Sequence, residues 1–357
     1  MDIQYLLFLQ DFRNSIDNAL TPFMEGVSMF AVTYLILFPV YYYWNRNKKD
    51  GLYALVAYYF CMVITPLVKL TACVYRPWIR DSRIVPAGKA IVTATGYSFP
   101  SGHTTTAAPL AGGMVVNTWK EPRLRVASVL FAAFIVLTMF SRNYLGVHTP
   151  QDVCVGLGVS VLSLFFTAKL FRYLDAHPEK ENRLLLAGFV FCCLALVYIT
   201  LKPYPMDYTA GGKLLVDPQK MMNDGYGDTG KMMGFIIARF VEKTWIRFEA
   251  AGGGTKRWKK LPVVSVSEST LHVKIINQVV YRGVALITDS PVFRDTKASR
   301  TIRRNGVSYN RQITIFLTHL SGNAFCRHWR LGAARPGGNV SWQAGYTFVR
   351  ERPSARR

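Results

Sequence analysis

The chain has 357 residues, of which 50% are hydrophobic, and it carries a formal net charge of +22 at pH 7. A single soluble domain rarely combines so much apolar surface with so much positive charge. In this chain the two properties are segregated, with long apolar runs separated by basic connections. The composition therefore excludes an ordinary soluble globular domain and favours a membrane protein.

The N-terminal stretch 1–20 is predicted to be an amphipathic helix lying at the membrane interface. It lacks the basic segment and cleavage site of a signal peptide, so we expect it to be retained. Its apolar residues at helical spacing are Ile3, Leu6, Leu7, Phe12 and Ile16.

Six apolar runs approach the roughly 20 residues that cross a bilayer as a helix. They are 27–44, 51–68, 103–118, 126–140, 153–171 and 184–201, and a shorter run at 232–241 is a tentative seventh. The run 103–118 is rich in Thr, Ala and Gly, which is typical of a helix buried among others, although a soluble core helix has the same composition. We predict an all-α polytopic transmembrane bundle of six or seven spans, with residues 21–249 as its domain.

Three short clusters carry residues suited to phosphate chemistry. Lys69-x6-Arg76-Pro77 and Ser141-Arg142 supply cations, and the two guanidinium groups match the oxygens of a phosphoryl group. Between them in sequence, Pro100-Ser101-Gly102-His103 precedes an apolar helix. The backbone N–H groups of Ser101 and Gly102, with the positive end of that helix, are expected to point at the same phosphate.

Two histidines suit the two halves of a covalent mechanism. His148 can attack phosphorus through a neutral ring nitrogen, and Asp152 lies one helical turn later, where its carboxylate can accept the other N–H. His103 can then protonate the leaving oxygen and later activate the water that hydrolyses the phosphohistidine.

These clusters resemble, at every motif position, the type 2 phosphatidic acid phosphatase superfamily, which includes membrane lipid phosphatases, undecaprenyl pyrophosphate phosphatases, glucose-6-phosphatases and soluble haloperoxidases. The motif resemblance covers about residues 69–152. It implies that Lys69, Arg76, Ser101, Gly102 and Arg142 bind phosphate, that His103 is the acid/base, that His148 becomes phosphorylated and that Asp152 orients it. It also implies a mechanism without metal or cofactor.

Each residue taken singly has a simpler interpretation. Thr149-Pro150-Gln151-Asp152 also has the pattern of a helix start, in which Asp152 is a capping carboxylate, and both roles can coexist. A lone cation near a span is usually an interfacial anchor. Trp78 and Tyr97 can line the entrance of the site or belong to the aromatic belt of the membrane.

The basic connections predict the orientation. Segments 45–49, 120–125, 172–183 and 243–260 fall on one side if the spans alternate, and that side is expected to be cytosolic. The three clusters then face away from the cytosol, together with an acidic loop. Its acidic residues are Asp207, Asp217, Asp224 and Asp228. A pocket at the span ends can receive a headgroup phosphate while the lipid tail stays in the membrane, so we predict a plasma-membrane enzyme with a lipid substrate.

Residues 250–261 have the composition of a basic, Gly-rich joint, and residues 262–357 form a basic extension. The extension contains alternating stretches at 270–287 and 312–320 and a possible turn at Asn305-Gly306. A poorly ordered tail, an altered reading frame, and a segment that binds anionic lipid or nucleic acid all remain open. Nucleic acid is disfavoured because no recognition motif is present.

The sequence thus predicts an integral membrane phosphatase that hydrolyses a lipid or isoprenoid phosphate or diphosphate. The alternatives are a non-catalytic lipid-phosphate binding or transport protein and a glucose-6-phosphatase-like sugar phosphatase. No Cys-x2-Cys pair or metal-ligand spacing is present, and the six cysteines do not suggest a disulfide framework.

Overall fold

The computed structural model describes residues 2–248, except 95, 210 and 213. Within these residues every regular secondary-structure element is a helix. The only β pairing among them is an isolated bridge between Tyr208 and Leu214. The predicted all-α fold class is confirmed. The predicted joint at 250–261 and the extension at 262–357, with its proposed strands and turn, lie outside the described residues.

Eleven α-helices follow one another in the described residues. They are α1 Asp2–Ser15, α2 Thr21–Thr33, α3 Leu37–Asn45, α4 Lys48–Ala72, α5 Pro77–Arg80, α6 Ala90–Thr93, α7 Gly102–Trp119, α8 Arg125–Tyr144, α9 Pro150–Ala176, α10 Glu181–Leu201 and α11 Pro218–Val241. Short 3-10 turns at Pro122–Leu124 and Pro178–Lys180 lead into α8 and α10, and a π-helical turn at Glu242–Ile246 follows α11.

Five segments of the described chain are long and apolar enough to cross a membrane. They are Thr21–Asn45, Lys48–Arg80, Pro122–Tyr144, Pro150–Ala176 and Pro178–Leu201. The protein is therefore a multi-pass membrane protein, but the predicted count of six or seven spans is not confirmed. The runs at 103–118 and 232–241 do form helices, within α7 and α11, yet neither helix is among the five.

Helix α7 lies at the centre of the bundle, where it packs against α2, α4, α8 and α9. Its small residues permit close approach. A Cβ atom added at Gly113 would lie 2.4 Å from the Cβ of Ala54 on α4, and one at Gly156 on α9 would lie 3.1 Å from the Cβ of Thr104. The Thr, Ala and Gly content that makes α7 weakly apolar is thus what lets α4 and α9 pack closely against it.

Ion pairs connect the basic segments at one end of the bundle. Arg46 pairs with Glu121 at 3.2 Å and Lys120 with Asp50 at 3.1 Å. Lys49 reaches Asp175 with its ammonium nitrogen 2.7 Å from a carboxylate oxygen. These contacts join three of the four predicted basic connections, so those connections share the end that is opposite to the three motif clusters.

Helix α1 packs against the other end of the bundle. The buried Arg13 side chain donates to the carbonyl oxygens of Tyr144 at 3.1 Å and Val85 at 2.8 Å. It thereby links the end of α8 to the connection between α5 and α6. The sequence predicted a helix here, but it did not predict that a buried arginine would fasten it.

Replacement of Gly113 by Ala is expected to destabilise the bundle, because the new methyl group would overlap Ala54 on α4. Overpacking of this kind typically costs about 1–3 kcal/mol. The measurement is thermal unfolding of the detergent-purified protein. Gly158→Ala on α9 is the matched control, since a Cβ there meets no heavy atom within 4 Å. Equal melting temperatures for the two variants would contradict the close α4–α7 packing.

Candidate active site

The three motif clusters meet at one end of the bundle. Lys69 lies near the end of α4, Arg76 immediately precedes α5, and Ser101 precedes α7. Arg142 is in the last turn of α8, and the segment from His148 to Asp152 leads into α9. The side chains of Arg76, Ser101, Arg142, His148 and Asp152 are all buried. Five separate helix ends thus form one polar centre.

Both ring nitrogens of His148 have partners that define its tautomer. A guanidinium nitrogen of Arg76 lies 2.9 Å from Nε2, and because guanidinium groups only donate, Nε2 must be the accepting nitrogen. The proton is then on Nδ1, which lies 3.3 Å from Oδ2 of Asp152. The lone pair of Nε2 therefore points toward the cations of the site, as nucleophilic attack on a phosphoryl group requires.

Asp152 has the capping role that the sequence left open. Its Oδ2 accepts the backbone N–H of Thr149 at 2.8 Å, and the Thr149 hydroxyl accepts the N–H of Asp152 at 3.4 Å. This is a complete capping box at the start of α9. The same oxygen also faces His148, so the cap fixes the carboxylate that orients the imidazole.

Burial lowers the pKa of His148 well below its ordinary value, and the positive charges of Arg76, Arg142 and Lys69 lower it further. All these effects disfavour the protonated imidazolium form. His148 is consequently neutral at physiological pH, and its accepting nitrogen is free of a proton.

Arg142 is only partly satisfied by the described residues. One of its terminal nitrogens donates to the hydroxyl of Ser28 on α2. Its Nε and its other terminal nitrogen are buried and have no hydrogen-bond partner among the described residues. Buried donors are nearly always paired, so this guanidinium has the capacity to bind an anion.

The other two cations are held by backbone carbonyl oxygens. Arg76 donates from Nε to Gly96 at 3.1 Å and from a terminal nitrogen to Val147 at 2.9 Å. The ammonium group of Lys69 donates to the carbonyl oxygens of Tyr97 at 3.1 Å and Pro100 at 2.8 Å. Lys69 therefore holds the loop before α7 in place, in addition to contributing positive charge.

The prediction that the backbone N–H of Ser101 points at a phosphate is wrong. Its backbone N–H donates to the carbonyl oxygen of Asp152 at 3.0 Å, so it is not available to a phosphate. Its hydroxyl accepts the N–H of Thr104 at 3.4 Å as the N-cap of α7, which leaves the hydroxyl proton to donate. At Gly102 an added Cβ would meet no heavy atom within 4 Å, so a ligand can approach the backbone there.

The structure places the imidazole of His103 near the charged groups of the site. It follows Gly102 in the first turn of α7 and lies within electrostatic reach of Arg142, His148, Arg76 and Lys69. The acid/base residue predicted from the sequence thus faces the same centre as the predicted nucleophile.

Two serines of the site were not predicted. Ser28 holds Arg142, and Ser98 donates its hydroxyl to Oδ2 of Asp152. Neither belongs to a motif cluster, and Ser28 lies in an apolar run that gave no sign of polar chemistry. Ser98 is two residues before Pro100, and this proximity is the only sequence signal for it.

The aromatic residues near the clusters pack within the fold. Tyr97 is fully buried in an apolar cluster with Leu70 and Ile199, so the suggestion that it lines the entrance is wrong. Trp78 is partly buried against the cluster around Ala87 and Tyr144, and the Arg76 guanidinium carbon lies 5.9 Å from its ring centroid.

Comparison with known proteins supports the resemblance found in the motifs. The sequence model of the PAP2 superfamily matches residues 50–176, which contain all three clusters. This part of the chain is therefore similar to the PAP2 superfamily. This confirms the family predicted from the sequence. No solved structure matches the chain significantly.

Several curated relatives of this chain are phosphatases by name. Phosphatidylglycerophosphatase B of Bacillus subtilis is 27% identical over 171 residues, covering 46% of this chain and 78% of the relative. Undecaprenyl-diphosphatase BcrC of the same organism is 29% identical over 164 residues, again covering 46% and 78%. Lipid A 4'-phosphatase of Porphyromonas gingivalis is 24% identical over 186 residues, covering 45% and 76%. These relatives support the prediction of a membrane phosphatase of the lipid phosphate type.

Replacement of Arg142 by Lys is expected to lower kcat/KM for phosphate release by about 100-fold, because an ammonium group cannot reproduce the bidentate contact of a guanidinium. Arg123→Lys is the matched control, since Arg123 is exposed at the opposite end of the bundle. Steady-state kinetics of the purified variants measure the effect. Activity within threefold of the unchanged protein for Arg142→Lys would contradict a role in phosphate binding.

Proposed function

We propose that this PAP2 protein is an integral membrane phosphatase that hydrolyses a lipid or isoprenoid phosphate or diphosphate through a phosphohistidine at His148. The observation that carries the proposal is the His148 imidazole, whose Nδ1 lies 3.3 Å from Asp152 and whose Nε2 faces Arg76 at 2.9 Å. An oriented, neutral nucleophile surrounded by cations suits phosphoryl transfer and has no evident use in a protein that only binds phosphate.

In the first half-reaction, the Nε2 lone pair attacks phosphorus and the bond from phosphorus to the leaving oxygen breaks. Arg76 donates to Nε2, so it is placed to transfer its hydrogen bond to a phosphoryl oxygen when substrate binds. Arg142 contributes its two unpartnered nitrogens, and Lys69 adds positive charge. Asp152 stabilises the positive charge that develops on the imidazole ring.

His103 serves both half-reactions. The negative charge of the bound phosphate favours the protonated form of the His103 imidazole, which then gives its proton to the leaving oxygen as the phosphohistidine forms. In the second half-reaction it takes a proton from water, the water oxygen attacks phosphorus, and the bond between nitrogen and phosphorus breaks. Inorganic phosphate leaves and His148 returns to its neutral form. Every positive charge in this scheme comes from a side chain.

A lipid-borne phosphate is the substrate class that best fits the position of the site. The site lies at the ends of membrane-spanning helices, where a headgroup can enter while the tail remains in the bilayer. The three relatives named above are, by name, phosphatases of phosphatidylglycerophosphate, undecaprenyl diphosphate and lipid A. These three names differ in the lipid that carries the phosphate, so we propose lipid phosphates as a class of substrate and no single member of it.

We further propose that the site faces away from the cytosol in the plasma membrane. The basic segments joined by Arg46, Lys49 and Lys120 lie at the opposite end of the bundle from His148. Basic connections are retained on the cytosolic side of membranes, so this end is the cytosolic one in the proposal.

His148→Ala is expected to abolish both turnover and labelling of the protein by a substrate carrying radioactive phosphate. His103→Ala is expected to lose at least about 100-fold in turnover but to retain labelling from a substrate with a good leaving group, because attack then needs no acid. The measurements are phosphate release and acid-quenched phosphoenzyme, with a panel of isoprenoid, glycerolipid and sugar phosphates.

The same assay contains its controls. Vanadate, which adopts the geometry of the transition state, is expected to inhibit, whereas a metal chelator is not. His177→Ala is the matched control, since His177 is a partly exposed histidine at the end of α9 that is remote from the site. Labelling that survives in His148→Ala would contradict the proposed nucleophile, and strict dependence on a divalent cation would contradict the scheme.

The orientation has its own test in intact cells. Val92, on α6 near the site, is 73% exposed, and Arg123 is exposed at the basic end. A membrane-impermeant maleimide is expected to label Val92→Cys in intact cells but to label Arg123→Cys only after permeabilisation. The unsubstituted protein gives the background of its native cysteines. The reverse pattern would place the site in the cytosol.

A further inference from the structure

Ser98 is a buried hydroxyl in direct contact with the orienting carboxylate. Ser98 is only 1% exposed, and its Oγ donates to Oδ2 of Asp152. The same Oγ lies 3.5 Å from Nδ1 of His148. Ser98 and Asp152 are 54 residues apart in sequence, so only the fold brings them together.

The backbone of Ser98 is fixed by the first motif cluster. Its N–H donates to the carbonyl oxygen of Val74 at 2.7 Å, and its own carbonyl oxygen lies 3.5 Å from the ammonium group of Lys69. Lys69 also binds the carbonyl oxygens of Tyr97 and Pro100 on either side. The hydroxyl is therefore held in place from the segment that carries Lys69 and Arg76.

We propose that Ser98 is a positioning residue that holds the Asp152 carboxylate so that His148 presents Nε2 to phosphorus; this inference rests on the proposed function. Two donors fix Oδ2, namely the Ser98 hydroxyl and the Thr149 N–H at 2.8 Å. With that oxygen fixed, the His148 Nδ1 proton is directed to it, and the imidazole plane and tautomer are set.

The position of Ser98 separates its role from phosphate binding. Its hydroxyl is used by Asp152, on the side of the His148 ring that is opposite to the accepting Nε2. Ser98 thus acts on the rate of attack through Asp152 and makes no contribution to the affinity for the phosphoryl group. Removal of the hydroxyl should lower kcat and leave KM nearly unchanged.

The experiment compares Ser98→Ala, Ser98→Thr and the control Ser163→Ala in the full-length protein. Ser163 is also a buried serine, and its hydroxyl donates to the carbonyl oxygen of Ala57 at 2.8 Å, away from the site. Rapid-quench labelling with a radioactive phosphate ester measures two quantities separately. The burst rate reports attack by His148, and the burst amplitude reports the fraction of correctly folded sites.

Ser98→Ala is expected to slow the burst by about 10- to 100-fold, the usual effect of losing a hydrogen bond to a charged group, at full amplitude and with KM changed less than threefold. Ser98→Thr keeps the hydroxyl and should retain most of the rate, and Ser163→Ala should match the unchanged protein. These results would support the positioning role.

Two results for Ser98→Ala would overturn the inference. An unchanged burst rate would show that the hydroxyl does not position the nucleophile, and a lower amplitude at an unchanged rate would show a purely structural role. Phosphoenzyme formation by the unsubstituted protein distinguishes a failure of the Ser98 inference from a failure of the proposed function. If it forms no phosphoenzyme at His148, the proposed mechanism fails and the inference fails with it.

Discussion

The gathering of three cations around one imidazole, with both guanidinium groups buried, is the constraint on which the rest of the site depends. Lys69, Arg76 and Arg142 surround His148, and Asp152 is the carboxylate in direct contact with that ring. Burying charge is costly unless the charge is paired or hydrogen-bonded. Backbone carbonyl oxygens of Gly96, Tyr97, Pro100 and Val147 supply part of the compensation. Two nitrogens of Arg142 have no partner among the described residues, so a bound anion would supply the rest of the compensation for burying these charges.

The helical scaffold meets this constraint by bringing helix ends together. Close packing of α7 against α4 and α9, through Gly113 and Gly156, brings the N-termini of α7 and α9 beside the C-terminal part of α4. Those two N-termini carry partial positive charge, which adds to the attraction for an anion. Ion pairs join the loops at the far end of the bundle, where no phosphate chemistry is proposed. Individually such exposed pairs contribute only about 0–1 kcal/mol, so helix packing is the main source of the arrangement.

Hydroxyl groups and caps orient the charged groups within this frame. Ser28 holds one side of Arg142 and leaves the other side open, while Ser98 and the Thr149 cap hold the Asp152 carboxylate. The capping interpretation and the catalytic interpretation of Asp152 therefore describe one structural arrangement. A helix cap fixes the first turn of α9, and in doing so it fixes the partner of the proposed nucleophile.

The sequence by itself determined the all-helical class, most of the membrane segments and the residues of the three clusters, because hydropathy is a local property and the spacing from His148 to Asp152 is one helical turn. It could not decide which groups are already paired. Hydrogen bonds between residues far apart in sequence pair the Ser101 N–H with Asp152, Ser28 with Arg142, and Ser98 with Asp152. The burial of Tyr97 likewise depends on residues that are distant in sequence. The tertiary structure decided these, since hydrogen bonds between separate helix ends depend on how the helices pack and leave no periodic signal in the chain.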